Sequence, residues 1–267
     1  MSPPSFLISL DFDGTLSLAD RNPSVDPAIH AALAAWRKRG ACWMINTGRS
    51  LAHTLEGLEE GAFPDPPDFL ITRERDIYVP NALGRWQAFG DWNARSDAAH
   101  TELFHEASAL LDDVRKFLEY ETLATFFDVP EEPAGIISSS DEEMDQICAF
   151  IDPMLSAFPD LRYERNSIYL RFSHRAFNKG SALAHLSMAL GVAPSRIFAA
   201  GDNYNDLTML DPRIAAHLAC PANALPQVHS HIAAHGGYRA RLPGAAGIAE
   251  ALLRLHAQPL SDSNLSH

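Results

Sequence analysis

Five residues near the start of the chain, Phe6-Leu7-Ile8-Ser9-Leu10, form an almost wholly apolar run that stops at Asp11-Phe12-Asp13-Gly14-Thr15. A short apolar run ended by a turn reads as a strand buried on both faces. Two acids at such a strand end carry a desolvation cost unless something there needs their charge. The pattern then repeats. Ala41 to Asn46 runs into Thr47-Gly48-Arg49-Ser50, and Arg196 to Ala200 runs into Gly201-Asp202-Asn203-Tyr204-Asn205-Asp206. Polar groups at the carboxyl ends of buried strands are the arrangement that open α/β sheets use for ligands.

The segments between these runs carry helix signals. Asp26-Pro27 opens a helix that stops at Gly40, Ser50 can cap another, and Asp68 to Thr72 reads as a third strand. Strand and helix in alternation predict a parallel sheet with crossover helices on both faces. After Thr72 the grammar changes. A hairpin is expected at Asp76–Val79 and Arg85–Phe89. One long helix follows, with Leu103, Leu110, Leu111, Val114 and Leu118 on a single face. Strands are expected near 122–128, 134–139, 161–165 and 167–172, with a helix capped by Ser140 and Glu143 and running to about Ala157. From Lys179 the α/β alternation returns, and the last helix is expected near Ala246–His256, before a polar tail, 259–267, read as disordered. The fold class is therefore α/β, with an antiparallel α+β unit, 73–172, inserted into a discontinuous core made of 1–72 and 173–267.

Charge narrows the partners. The formal net charge is −13, and neither a basic tract nor a basic helix is present, which argues against nucleic acid and anionic membrane as partners. An anionic substrate would need a local positive site against that field. Three scattered cysteines, Cys42, Cys148 and Cys220, form no CxxC pair and read as reduced thiols. The N-terminus lacks a basic start and a long apolar stretch, so the expectation is a cytoplasmic protein.

At Asp11 and Asp13 one carboxylate can attack phosphorus while the other handles protons, and Gly14 lets the chain turn beside a ligand. Thr47-Gly48 offers a hydroxyl and a close backbone N–H before a helix N-terminus. Lys179 opens a helix, where the dipole disfavours a cation unless it meets a negative site. Asp202, Asn205 and Asp206 provide oxygen ligands suited to a hard cation.

Asp11-Phe12-Asp13-Gly14-Thr15, Thr47, Lys179 and Gly201-Asp202 with Asn205-Asp206 resemble, in order and placement, the four motifs of the haloacid dehalogenase superfamily. The insert resembles the type IIB cap found in Cof-type phosphatases, sucrose-phosphate phosphatases and phosphomannomutases. The resemblance implies a Rossmann-like core with an inserted α+β cap. It also implies a phosphomonoester hydrolase that works through an aspartyl-phosphate, with Asp11 as nucleophile and Asp13 as general acid and base. Thr47 and Gly48 would hold phosphate oxygens and Lys179 would neutralise charge. Asp11, the Asp13 carbonyl, Asp202 and Asp206 would bind Mg²⁺. Arg49, Asn178 and Asn205 stand beside the motifs as candidate substrate contacts. A carboxylate and a phosphate charge repel by about 4 kcal/mol at ~4 Å and an effective dielectric of ~20, so countercharge is required.

The implied partner is a small phosphorylated metabolite, a sugar phosphate by analogy with relatives carrying this cap, and the implied assembly is a monomer or weak homodimer. The alternatives are a phosphomutase of the phosphomannomutase kind and a non-catalytic phosphosugar-binding protein. In place of the Asn-Gly pair usual in Cof-type relatives the chain has Thr72-Arg73-Glu74-Arg75-Asp76, where Arg73 and Arg75 either reach the substrate or form surface ion pairs with Glu74 and Asp76. His229, His231 and His235 lack an acidic partner and read as surface histidines.

Overall fold

The computed structural model describes residues 3–129 and 132–258; the tail read as disordered lies outside the described residues. The chain runs β1 (Phe6–Leu10), α1 (Ala28–Arg37), β2 (Ala41–Asn46), α2 (Leu51–Glu60), β3 (Phe69–Thr72), β4 (Asp76–Pro80) and β5 (Trp86–Ala88). It continues through α3 (Trp92–Glu106), α4 (Ser108–Glu121), β6 (Thr125–Val129), β7 (Glu132–Ile137), α5 (Asp141–Ile151), β8 (Leu161–Asn166) and β9 (Tyr169–His174). It ends with α6 (Lys179–Leu190), β10 (Ile197–Ala200), β11 (His217–Cys220), α7 (Pro226–Ala234), β12 (Tyr238–Arg239) and α8 (Gly244–His256).

An eight-stranded sheet in the order β12-β11-β10-β1-β2-β3-β4-β5 forms the core. The strands from β12 to β3 pair in parallel. Side chains alternate between its faces, as the two-residue period of a strand requires. From β1, Phe6, Ile8 and Leu10 join the cluster that holds Trp36 of α1 and Leu252 of α8. Leu7 points the other way, into the cluster with Leu183 and Leu186 of α6 and Val228 and Ile232 of α7. With both faces covered, the largely apolar runs of β1, β2 and β10 follow directly. The Trp36 ring stacks on Phe6 at 4.4 Å and its Nε1 donates to the Leu252 carbonyl at 3.0 Å, so even the indole N–H has a partner in the core.

A four-stranded antiparallel sheet, β6-β7-β9-β8, forms a second unit with its own core. There Leu110, Leu111, Val114 and Leu118 of α4 and Met144, Ile147 and Ile151 of α5 pack on Ile136, Leu170 and Phe172.

Four local expectations change. The β4–β5 hairpin, assigned from sequence to the inserted unit, instead continues the large sheet, with Leu70 paired to Tyr78 and Thr72 to Asp76 antiparallel across β3 and β4. Burial of Ile77 against the core, together with Phe69 and Ile71, holds it there. The single long helix is two, broken at Ala107 (φ −85°, ψ 10°), although Leu103 and Leu110 still reach the same core. The helix capped by Ser140 tightens into a 3-10 turn at Asp152–Ala157, where Pro153 supplies no N–H. Helix α7 and strand β12 were not anticipated. Among the described residues no helix is long and apolar enough to cross a membrane.

Candidate active site

Asp11, Thr47 and Asp202 leave the carboxyl ends of three neighbouring strands, β1, β2 and β10. The chain runs outward from β1 through β2 to β3 and later returns to β1's other edge as β10, which makes this the switch point of the sheet. Backbone bonds continue beyond the strands and hold the loops down. Asp11 N–H donates to the Ala200 carbonyl at 3.0 Å, and Thr47 N–H to the Ile71 carbonyl at 2.8 Å.

Lys179 is fully buried, and its Nζ donates to Asp11 Oδ1 and Asp206 Oδ1, both at 2.6 Å. A reciprocal cap holds it at the first turn of α6: the Asn178 side chain accepts from Ser181 N–H at 2.9 Å, and Ser181 Oγ accepts from Asn178 N–H at 2.9 Å. The cost of a cation at a helix N-terminus is offset by two carboxylates in direct contact. The other oxygen of Asp206 accepts from the N–H groups of Asp202 and Asn203, at 2.8 and 2.9 Å, so Asp206 shapes the loop as well as holding the lysine. Asp202 accepts from Thr15 Oγ1 at 2.7 Å. Gly14 (φ +77°) brings its backbone so close that a Cβ would lie 2.3 Å from an oxygen of Asp202.

Asp11, Asp202 and Asp206 each bring a carboxylate oxygen within 4.8 Å of the others. Burial raises Asp11 well above the usual carboxylate range, the charges of Asp206 and Asp202 push the same way, and Lys179 opposes them. Burial and then Asp206 push Asp202 up to about 6. Burial disfavours the Lys179 ammonium, yet Asp11 and Asp206 outweigh it and its pKa is raised. Three carboxylates around one ammonium leave an excess of buried negative charge, and an all-oxygen donor set of this kind suits a small hard divalent cation.

Asp13 stands apart from that cluster. Its half-exposed carboxylate is gripped by Arg49, with Nε 2.8 Å from Oδ2 and Nη2 2.6 Å from Oδ1, and the guanidinium lies 4.5 Å from the centre of the Phe12 ring. The hydrogen bond to Asp13 raises the already high pKa of Arg49.

Asp11, Asp13 and Arg49 line a cavity of about 480 Å³. Its floor includes Asp11, Asp13, Thr47, Gly48, Arg49 and Asn205, and its roof includes Phe127, Glu164, Tyr169 and Arg171 from the four-stranded unit. Arg171 Nη1 donates to the Gly48 carbonyl at 3.2 Å and ties roof to floor.

Asn178 does not line the cavity; its side-chain amide donates to Arg175 O at 3.0 Å and its oxygen caps α6. Asn205 does line it and donates to Glu74 Oε1 at 2.8 Å. Arg73 pairs with Asp76 at 2.5 Å, and Arg73 and Arg75 approach Asp97 at 3.6 and 3.7 Å, all away from the cavity. The ion-pair expectation thus holds for Asp76, but Arg75 and Asp76 are buried rather than on the surface, and Glu74 turns into the site. Arg73 and Glu74 both have left-handed backbones (φ 49° and 65°), which no residue type in this stretch announces. Glu74 and the roof residues are the part that sequence reasoning missed. The strand alternation of β8 and β9 was the one available signal, since it separates Arg171 and Glu164 from the apolar Leu170 and Phe172. His229, His231 and His235 bond to local backbone or to Cys220 and join no metal-ligand group among the described residues.

A family model for haloacid dehalogenase-like hydrolases matches residues 65–235, well over half of the chain. The chain belongs to the haloacid dehalogenase-like hydrolases. Within that family this hydrolase is 25% identical over 244 residues to the putative phosphatase YxeH of Bacillus subtilis, covering 83% of this chain and 89% of that one. Its fold resembles the sucrose-phosphatase of Synechocystis, solved with sucrose and phosphate, with a TM-score of 0.71 at 19% identity over 94% of this chain and 98% of that one. It also resembles the haloacid dehalogenase-like hydrolase yhjK of Bacillus subtilis, with a TM-score of 0.62 at 15% identity over 96% of this chain and 94% of that one.

Proposed function

We propose that this hydrolase removes the phosphoryl group from a small phosphorylated metabolite, with Asp11 as the nucleophile. The observation that carries the reading is Asp11 itself: a buried carboxylate 2.6 Å from a buried lysine, at the floor of the cavity, with a second acid two residues on. The Asp11 carboxylate attacks phosphorus and the ester P–O bond breaks. Asp13 gives its proton to the departing alkoxide, then takes one from water as the new oxygen attacks the aspartyl-phosphate, freeing Asp11 and inorganic phosphate. Thr47 and the Gly48 N–H hold phosphoryl oxygens, and Lys179 balances the charge that collects on Asp11.

Asp11 and Asp202, with the Asp13 carbonyl, would hold Mg²⁺, and Asp206, already bonded to Lys179 and two backbone N–H groups, orients that set. The ion supplies electrophilic stabilisation of the phosphoryl oxygens when bound. The four-stranded unit acts as a cap that shuts the site from water. A cavity of about 480 Å³ is of small-metabolite size, and the sucrose-phosphatase fold favours a sugar phosphate as the class to try first.

Purified protein should release phosphate from p-nitrophenyl phosphate with Mg²⁺ and stop with EDTA. Full activity in Asp11→Asn would sink the mechanism.

A further inference from the structure

One row of the cap sheet faces the cavity, and it contains an unusual glycine. Phe127, Gly135, Arg171 and Glu164 stand directly opposite one another across β6, β7, β9 and β8. The adjacent row, with Phe126, Ile136 and Leu170, faces the cap's own core. Gly135 is not among the residues of positive φ, so its backbone alone does not demand glycine. What demands it is the ring of Phe127: a Cβ on Gly135 would lie 2.1 to 2.7 Å from three carbons of that ring. The ring therefore lies down against the strand instead of standing up from it. It lines the cavity together with Arg171 and Glu164.

The same row also reaches the floor. Arg171, directly across from Gly135, bonds the Gly48 carbonyl, at the loop assigned to the phosphate. The Phe127 ring shares the cavity lining with Asp13, the residue assigned to the leaving group, and with Arg171. Glu164, paired with Arg162, adds a carboxylate beside it.

We infer that Phe127, seated on Gly135, is a specificity-determining residue that takes the apolar C–H face of a sugar ring in the leaving group. This rests on the phosphatase reading above. A pyranose ring has one face of C–H groups and a rim of hydroxyls, and Glu164 and Arg171 are placed to bond such a rim while the aromatic face covers the C–H groups. An aryl leaving group offers the same flat face without the rim. An acyclic polyol offers the hydroxyls without the face.

The test compares Mg²⁺-dependent phosphate release from glucose 6-phosphate, glycerol 1-phosphate and p-nitrophenyl phosphate by the wild type, Phe127→Ala, Gly135→Ala and Phe127→Tyr. The wild type should favour the hexose ester over the glycerol ester in kcat/KM. That ratio should fall roughly three- to tenfold in Phe127→Ala, through KM. Gly135→Ala, which leaves Phe127 in place but displaces its ring, should lower the ratio in the same direction. Phe127→Tyr keeps the flat face and should retain the preference. Thermal melts separate a loss of selectivity from a loss of fold.

A hexose-to-glycerol ratio unmoved in both Phe127→Ala and Gly135→Ala overturns the inference. So does a loss confined to p-nitrophenyl phosphate, which would assign the ring to aryl groups instead of sugars. Failure of the wild type to release phosphate from any of the three esters would instead defeat the phosphatase reading itself.

Discussion

Arg49 holds the carboxylate of Asp13 through two hydrogen bonds, at 2.8 and 2.6 Å, and keeps it out of the Asp11–Asp202–Asp206 cluster. A bidentate guanidinium fixes a carboxylate in direction as well as in place. Arg49→Met should lower kcat about tenfold or more for alkyl phosphates while leaving the melting temperature within a few degrees. With Asp13 in the proposed proton-transfer role, loss of its aim falls on the step that needs a proton. The loss should therefore be smaller for p-nitrophenyl phosphate, whose leaving group departs without one. Equal losses on both substrates, measured as kcat, would remove this role from Arg49.

Lys179 is buried between Asp11 and Asp206. Lys179→Met leaves two buried carboxylates without their countercharge, so it should cost about 3–5 kcal/mol of stability as well as abolish turnover. Urea unfolding reads the first and phosphate release the second. A variant as stable as the wild type would mean that the lysine serves catalysis alone.

Excess negative charge around Asp202 makes a prediction about metal. Adding Mg²⁺ should raise the wild-type melting temperature by mass action. In Asp202→Asn the metal-free protein should melt higher than the metal-free wild type, because burial and Asp206 hold the native pKa of Asp202 up at about 6 and make its charged form unfavourable at neutral pH. The Mg²⁺-dependent rise should shrink or vanish in the same variant. Scanning fluorimetry with and without EDTA decides both points.

His100 joins α3 to β9: its Nδ1–H donates to the Ser96 carbonyl at 2.7 Å and its Nε2 accepts from His174 N–H at 3.0 Å. Burial, and then the charge of Arg75, push its pKa down to about 3 from an ordinary 6.5. The unfolded chain therefore takes up a proton below pH 6.5 that the native protein refuses, and stability present above 6.5 is lost progressively down to about 3. Between pH 7 and 5 this one group should cost about 2 kcal/mol, and His100→Gln should flatten that part of the urea-stability profile. An unchanged slope would show that other groups govern the acid limb.

Glu74 is held at φ 65°, and its Oε2 is buried without a hydrogen-bond partner. Glycine at this position would relieve a left-handed backbone worth roughly 1 kcal/mol or more and remove an unpaired buried oxygen, at the loss of one bond from Asn205. Glu74→Gly should therefore raise the melting temperature. A lower one would show that the carboxylate anchors the loop.

The floor of the site was legible because its residues announce themselves locally. Asp11, Thr47 and Asp202 each end an apolar run, and a strand end is a place that sequence can locate. Lys179 was legible through its conflict with the helix dipole. The roof was not, because Phe127, Glu164 and Arg171 become neighbours only through strand register, and register is set by pairing partners far away in the chain. Asn178 misled for a related reason: an N-cap and a substrate contact look alike until the partners of its amide are seen. The hairpin at 76–88 was misplaced because its strands are short and amphipathic, and only the apolar contact of Ile77 with Phe69 and Ile71 decides which sheet it joins.

The position of β1 between β2 and β10 has a consequence for synthesis. During translation β2 is available to β1 almost at once, but β10 emerges only after the whole cap has left the ribosome. Until then one side of a central, almost wholly apolar strand presents bare N–H and C=O groups, the template on which aggregates grow. A nascent chain stalled within the cap should therefore be a strong client for chaperones, and release from them should coincide with the emergence of Ile197 to Ala200.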